Sequence, residues 1–171
     1  IQDEKCTHIN AVPTLYGWML QGADVDAYDL SSLRLITYAG SPFPQELLKQ
    51  CIAKFGPIFE QAYAMTECIG GTFLLKEDHV LEGERSKLLS SAGKPCVIVD
   101  VSVKDEDDND LSPGKIGEIV IRGKSMMIGY WKNPELTART IRNGWYHTGD
   151  MGYLDEDGDL WVVERRTDLI V

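Results

Sequence analysis

The spacing of apolar and polar positions changes along the chain and predicts two kinds of architecture. Val12-Pro13-Thr14 opens a helix with Pro in its first turn, where a missing N–H costs little. Leu15, Tyr16, Met19 and Leu20 then fall on one face. Residues 24–32 are polar and turn-rich. Residues 33–39 (LRLITYA) alternate and are partly β-branched, which predicts a strand. Gly40-Ser41-Pro42 breaks that strand. Pro44 opens a second helix with Leu47, Leu48, Cys51, Ile52 and Phe55 at helical spacing, ended by Gly56-Pro57. Residues 58–63 are the next predicted strand, and the order strand, crossover helix, strand favours a parallel α/β sheet.

The second half predicts short strands at 97–104, 116–123 and 160–163, separated by turn clusters at 105–114 and 155–158. That spacing suits a small antiparallel barrel or sandwich. Between them, Asn133-Pro134-Glu135 supplies a cap, a Pro at the first helical position and an acid in the first turn, so a short helix should run to about Ile141. There is no internal repeat and no low-complexity linker. The expected class is α/β (α+β overall): part of a parallel or mixed sheet flanked by helices, followed by a small antiparallel β-barrel-like subdomain. The boundary is placed near residues 93–95, giving subdomains 1–94 and 95–164.

A net charge of −10 argues against a nucleic-acid partner, which needs a basic face. It does not oppose ATP, because a nest of backbone N–H groups holds phosphate on an acidic protein. No apolar run approaches the ~20 residues that cross a bilayer, so no membrane span is expected. Residues 1–5 are polar and of mixed charge, unlike a secretory signal, and the expected location is the cytoplasm. Cys6, Cys51, Cys68 and Cys96 lack Cys-x-x-Cys spacing and a matching His, so free, largely buried thiols are expected. The acidic run 105–110 fails as a calcium loop: Asp110 stands where Gly is needed and Ile116 where a carboxylate is needed. It and 155–159 read as solvated hairpin turns. No Gly-x-Ser-x-Gly elbow supports a hydrolase.

Three segments carry candidate chemistry. Tyr63-Ala64-Met65-Thr66-Glu67 ends a predicted strand, the edge of an α/β sheet where ligands bind. There Tyr63 can stack on a base, Thr66 can bind a phosphate oxygen, and Glu67 offers Mg²⁺ a hard carboxylate. The preceding strand ends at Ala39-Gly40-Ser41-Pro42, where glycine admits a flat ligand. In Tyr146-His147-Thr148-Gly149-Asp150, the Asp can accept both hydroxyls of a ribose through its two oxygens. Taken singly, each also reads as an ordinary turn: a buried Tyr with a solvated Glu, or a hairpin with an Asp cap. Arg165 and Arg166 follow the last strand, where a guanidinium can donate to ribose or phosphate.

In this order, together with the stretch 117–137 and with 165–168, these segments resemble the motifs of the adenylate-forming superfamily, which includes acyl- and aryl-CoA synthetases, firefly luciferase and peptide-synthetase adenylation domains. The resemblance covers essentially the whole chain. It implies ATP, Mg²⁺ and coenzyme A as co-substrates and cofactors, with a small carboxylic acid as partner. It implies that Gly40, Ser41 and Pro42 border the adenine and the acyl pocket, that Ala39, Gly40 and Ala64 line that pocket, and that Tyr63 stacks on adenine. Thr66 and Glu67 become the catalytic pair, on phosphate and Mg²⁺. Asp150 holds the ribose with help from Arg165, and Thr167 and Asp168 form a hinge to a C-terminal domain. Ala64 departs from the family's usual Gly and adds a methyl to the pocket wall.

The resemblance also implies a phosphate loop before Ile1 and a catalytic lysine after Val171. The chain begins without Met and stops on an uncapped apolar run, so it reads as an internal fragment, expected to be inactive as a ligase alone. Segment 61–67 is more similar to acyl- and aryl-CoA ligases than to peptide-synthetase domains, and segment 165–170 resembles that of fatty-acyl-CoA ligases and of succinylbenzoate-CoA ligases. A medium- or long-chain fatty acid is the favoured substrate. A succinylbenzoate-type aryl acid is the alternative, and a non-catalytic binding homologue is a third reading.

Overall fold

The protein is described by a computed structural model that defines residues 1–22 and 24–165, with the side chains of Glu164 and Arg165 excepted. The chain forms two compact units: Ile1–Ala62 with Leu74–Ser90, and Tyr63–Phe73 with the chain from Ser91 onward.

In the first unit, β1 (His8–Ala11), β2 (Leu35–Ala39) and β3 (Phe59–Met65) pair in parallel, with Ile36 opposite Phe59. Helices α1 (Pro13–Gly22) and α2 (Gln45–Phe55) supply the crossovers that parallel pairing requires. Alternation along β2 buries Ile36 and Tyr38, while i, i+3, i+4 spacing on α2 buries Leu48, Cys51 and Ile52. These meet Tyr16, Phe43 and Phe59 in one core. Phe43, just past the Gly40–Pro42 break, meets Tyr38 edge-on with centroids 4.8 Å apart and so anchors the start of the crossover. Gly56 ends α2 at φ +87, a conformation that favours glycine. The parallel order matches the sequence expectation. The short strand β1, too brief to show alternation, was not anticipated.

The second unit holds β4 (Cys68–Leu74), which pairs antiparallel with β5 (Lys94–Pro95), and an antiparallel sheet ordered β10-β9-β7-β6. The latter comprises β6 (Val99–Lys104), β7 (Gly117–Gly123), β9 (Trp145–Leu154) and β10 (Leu160–Arg165). A short β8 (Ile141–Arg142) adds to β9, after α3 (Pro134–Thr140). The barrel-like expectation is met by a curled half-barrel. Its core is Val99, Val103, Ile119, Ile121, Tyr146 and Leu160. The acidic runs are turns: Asp105 and Asp155 each accept backbone N–H groups two and four residues on, which closes the loop. Two elements differ from the sequence reading. The glycines at 70 and 71 hid β4, and residues 146–150 lie within a ten-residue strand rather than forming a hairpin turn.

The first unit also buries a histidine. His79 is 2% exposed, its Nδ1 lies 2.9 Å from the Leu75 carbonyl and its Nε2 2.9 Å from the Tyr38 hydroxyl. The carbonyl only accepts, so Nδ1 carries the proton and Nε2 accepts from Tyr38. Burial lowers the His79 pKa from its ordinary 6.5, against smaller upward pulls from the Leu75 hydrogen bond and Asp78. The unfolded chain therefore takes up the proton first as pH falls. Stability is expected to be full above about pH 6.5 and to decline below it, levelling off once the folded His79 is itself protonated. Urea melts between pH 5 and 8 check this, and Tyr38→Phe, which orphans Nε2, should cost about 1–3 kcal/mol at neutral pH.

Candidate active site

The second unit gathers two carboxylates and three tyrosines. Strand β3 ends at Met65, and the two-residue turn Thr66-Glu67 leads directly into β4. Gly71 on β4 lies so close to β3 that a Cβ there would collide with the Tyr63 carbonyl oxygen. This fixes the backbone that carries Tyr63, and it explains a glycine inside a strand.

Asp150 sits in a distortion of β9. Glu118 pairs with Met151 and Val120 with His147, so Thr148, Gly149 and Asp150 all stand opposite Ile119 alone. Such a bulge re-aims a side chain that regular pleating would place by alternation. Gly149 takes φ +75, and a Cβ there would meet nothing within 4 Å, so the conformation, not crowding, favours glycine. Thr148 Oγ1 donates to the Ile119 carbonyl at 2.8 Å and accepts the Asp150 N–H at 3.0 Å.

Asp150 is 8% exposed, and the Tyr63 hydroxyl donates to its Oδ2 at 2.7 Å. Burial raises the Tyr63 pKa most, and the Asp150 charge and hydrogen bond raise it further, so the phenol stays a donor. The Tyr130 hydroxyl similarly donates to Glu67 Oε1 at 2.9 Å, and burial, then Glu67, hold it protonated. The stretch 125–137 that carries this tyrosine is tied down on either side of it. Met127 N–H bonds the Glu67 carbonyl at 2.7 Å, and Thr137 Oγ1 of α3 accepts the Tyr130 N–H at 2.9 Å. Asn133 caps α3 by accepting from Leu136 N–H, as its sequence predicted. Burial first, then the charge of Glu67, Tyr130 and, more weakly, Asp150 push the Tyr146 phenol up.

The structure thus brings together Tyr63 with Asp150, while Thr66 and Glu67 follow on the same strand end. Thr66 and Ala64 are exposed and Glu67 half-buried. In the first unit, Gly40 (φ +84), Ser41 and Pro42 form an exposed turn after the half-buried Ala39. Arg165 ends β10 opposite Asp150 in the backbone register. Arg166, Thr167 and Asp168 lie outside the described residues. Sequence reasoning missed Tyr130 as the partner of Glu67, and Tyr146 as a buried phenol that feels the Glu67 charge. Their signal was an aromatic within the long stretch 117–137 and one opening the Asp150 segment. His147, read as incidental, is 6% exposed, with Nδ1 2.8 Å from Arg142 and 3.0 Å from Glu118.

Gly71→Ala should lower stability by about 2 kcal/mol or more, because backbone has to move at Tyr63. Tyr63→Phe leaves a buried carboxylate short of a donor and should cost about 1–3 kcal/mol. Chemical denaturation of both variants checks the pair.

The geometry has a clear set of relatives. A profile of the AMP-binding enzyme family matches residues 1–131. A feruloyl-CoA synthase from an Amycolatopsis species is 37% identical over 171 residues, covering 100% of this chain and 34% of that protein. A medium/long-chain-fatty-acid–CoA ligase from Mycobacterium tuberculosis is 36% identical over 172 residues, covering 100% of this chain and 29% of that protein. The solved structure of an O-succinylbenzoate coenzyme A synthetase from Bacillus subtilis, in complex with AMP, superposes with a TM-score of 0.82 at 34% identity. That match covers 98% of this chain and 33% of the other. The chain spans about a third of the length of these proteins. On the match over residues 1–131, the chain belongs to the AMP-binding enzyme family.

Proposed function

We propose that this chain supplies the nucleotide-binding part of an AMP-forming, ATP-dependent acid–thiol ligase. The observation that supports it most is Asp150, a carboxylate taken almost out of water on a strand bulge and held by Tyr63. Burying a charge is costly, and a fold retains such a group where it has a partner to bind. In this reading Asp150 accepts the ribose hydroxyls, Tyr63 stacks on adenine and Thr66 bonds a phosphate oxygen. Arg165 assists Asp150.

The reaction has two displacements. A carboxylate oxygen attacks the α-phosphorus of ATP and pyrophosphate leaves, giving an acyl-adenylate. The thiol sulfur of coenzyme A then attacks the acyl carbon, and AMP leaves with the electron pair of the broken C–O bond. Two anions meet in the first step, so positioning and charge stabilisation dominate. Glu67 fits a Mg²⁺ role: it is a hard ligand on an accessible turn, oriented by Tyr130. No group of three or more His, Cys, Asp or Glu able to hold a metal occurs among the described residues. Mg²⁺ would thus draw most ligands from water and phosphate, which is its usual habit. Bound there, it would neutralise charge on the phosphate oxygens.

The first reading of the acid is a medium- or long-chain fatty acid, the substrate class in the name of the mycobacterial relative. An aryl acid is the second reading, supported by the feruloyl and succinylbenzoate relatives. No helix among the described residues is long and apolar enough to cross a membrane.

Acid-dependent ATP–pyrophosphate exchange by the full-length protein, over fatty, aryl and amino acids, tests the proposal. Exchange with medium- or long-chain fatty acids is expected. Asp150→Asn should raise the KM for ATP about tenfold, the loss of one charge-assisted contact. Glu67→Gln should cut the exchange rate roughly 10- to 100-fold. A folded protein that binds ATP yet exchanges with no acid would instead be a non-catalytic binding homologue.

A further inference from the structure

The bulge that presents Asp150 is held from outside its own strand, and the group that holds it is Glu118. This side chain, 12% exposed on β7, reaches across to β9 with both oxygens. Oε1 accepts the Gly149 N–H at 3.2 Å, and Oε2 lies 3.0 Å from His147 Nδ1. Arg142 of β8 stands 3.6 Å from Oε2 and 2.8 Å from the same His147 nitrogen. One carboxylate therefore holds both the residue that leads into the bulge and the glycine at its middle. Thr148, the first bulge residue, bonds the Ile119 carbonyl and accepts the Asp150 N–H. Gly149 by itself imposes little, since its φ of +75 is one of several conformations open to glycine and nothing packs where its Cβ would be. Without an acceptor from β7, the Gly149 N–H loses its bond, and the backbone carrying Asp150 loses its fixed direction.

We propose that Glu118 is a positioning residue for nucleotide binding: it clamps the Thr148-Gly149-Asp150 bulge so that the Asp150 carboxylate is aimed at the ribose hydroxyls before ligand arrives. This rests on the reading of Asp150 as the ribose ligand. It assigns Glu118 no contact with substrate. The requirement is for an acceptor of this length at this place rather than for negative charge. A glutamine meets it: its amide oxygen accepts from Gly149, and its NH₂ donates to His147 Nδ1 once the single ring proton sits on Nε2. Alanine meets neither end, and aspartate, one methylene shorter, cannot span both.

The test compares AMP with 2′,3′-dideoxy-AMP by calorimetry on the full-length protein and its variants. The ratio of the two affinities reads the aim of Asp150, whereas a general loosening of the fold weakens both nucleotides alike. Wild type should prefer AMP, and Asp150→Asn should abolish the preference. Glu118→Ala should shrink the preference about tenfold, chiefly through weaker AMP binding, and Glu118→Gln should keep it within about threefold of wild type. If Glu118→Ala does not fold, judged by circular dichroism, Glu118→Asp takes its place with the same expected loss. An unchanged ratio in Glu118→Ala or Glu118→Asp, while Asp150→Asn loses it, overturns the clamp and leaves the ribose reading intact. So does an equal loss for both nucleotides, or a loss in Glu118→Gln as large as in Glu118→Ala. A ratio that Asp150→Asn leaves unchanged overturns the ribose reading and the clamp with it.

Discussion

A carboxylate at 8% exposure is the constraint around which the second unit is organised. Taking a charge out of water costs several kcal/mol unless hydrogen bonds replace the lost solvent. Asp150 meets that demand with the Tyr63 phenol, whose own burial keeps it protonated and donating. The donor comes from β3, 87 residues earlier in the chain, so the pair exists only when β3 and β9 are both in place. The same logic repeats at Glu67 with Tyr130, 63 residues later. Tyrosine suits the task because it brings an apolar ring to the core and a single donor to the charge.

The glycines of this unit divide by cause. Gly71 is a matter of space, because β4 runs too close to the Tyr63 carbonyl for any Cβ. Gly149 is a matter of dihedral, because open space surrounds it but its φ is positive. One lets a strand pass behind the tyrosine, and the other lets a strand turn its carboxylate off the regular alternation. Both serve the same hydrogen bond from opposite sides.

Nothing in this site requires a basic chain. The formal charge of the chain is −10, and the site holds its carboxylates by local hydrogen bonds. Surface ion pairs such as Lys5–Asp29 and Lys49–Glu46 are exposed and contribute little to stability. The core aromatics Tyr16, Tyr38, Phe43 and Phe59 carry the first unit.

Sequence alone determined the helices, because α1 and α2 announce themselves by apolar spacing and Pro near their starts, and α2 also by Gly at its end. It also determined the parallel order of β2 and β3, since a helix between two strands leaves few alternatives. Motif spacing brought out Tyr63, Thr66, Glu67 and Asp150, since local order along the chain survives in the sequence. Tertiary structure decided the rest. Glycines at 70 and 71 argue against a strand until the neighbouring carbonyl is seen, and Gly149 reads as a hairpin until β7 is laid beside it. That Tyr130 serves Glu67, and that Glu118 grips Gly149 and His147, is likewise absent from any local pattern. These are contacts between distant residues, and a one-dimensional chain does not record which of its groups will face each other across a sheet.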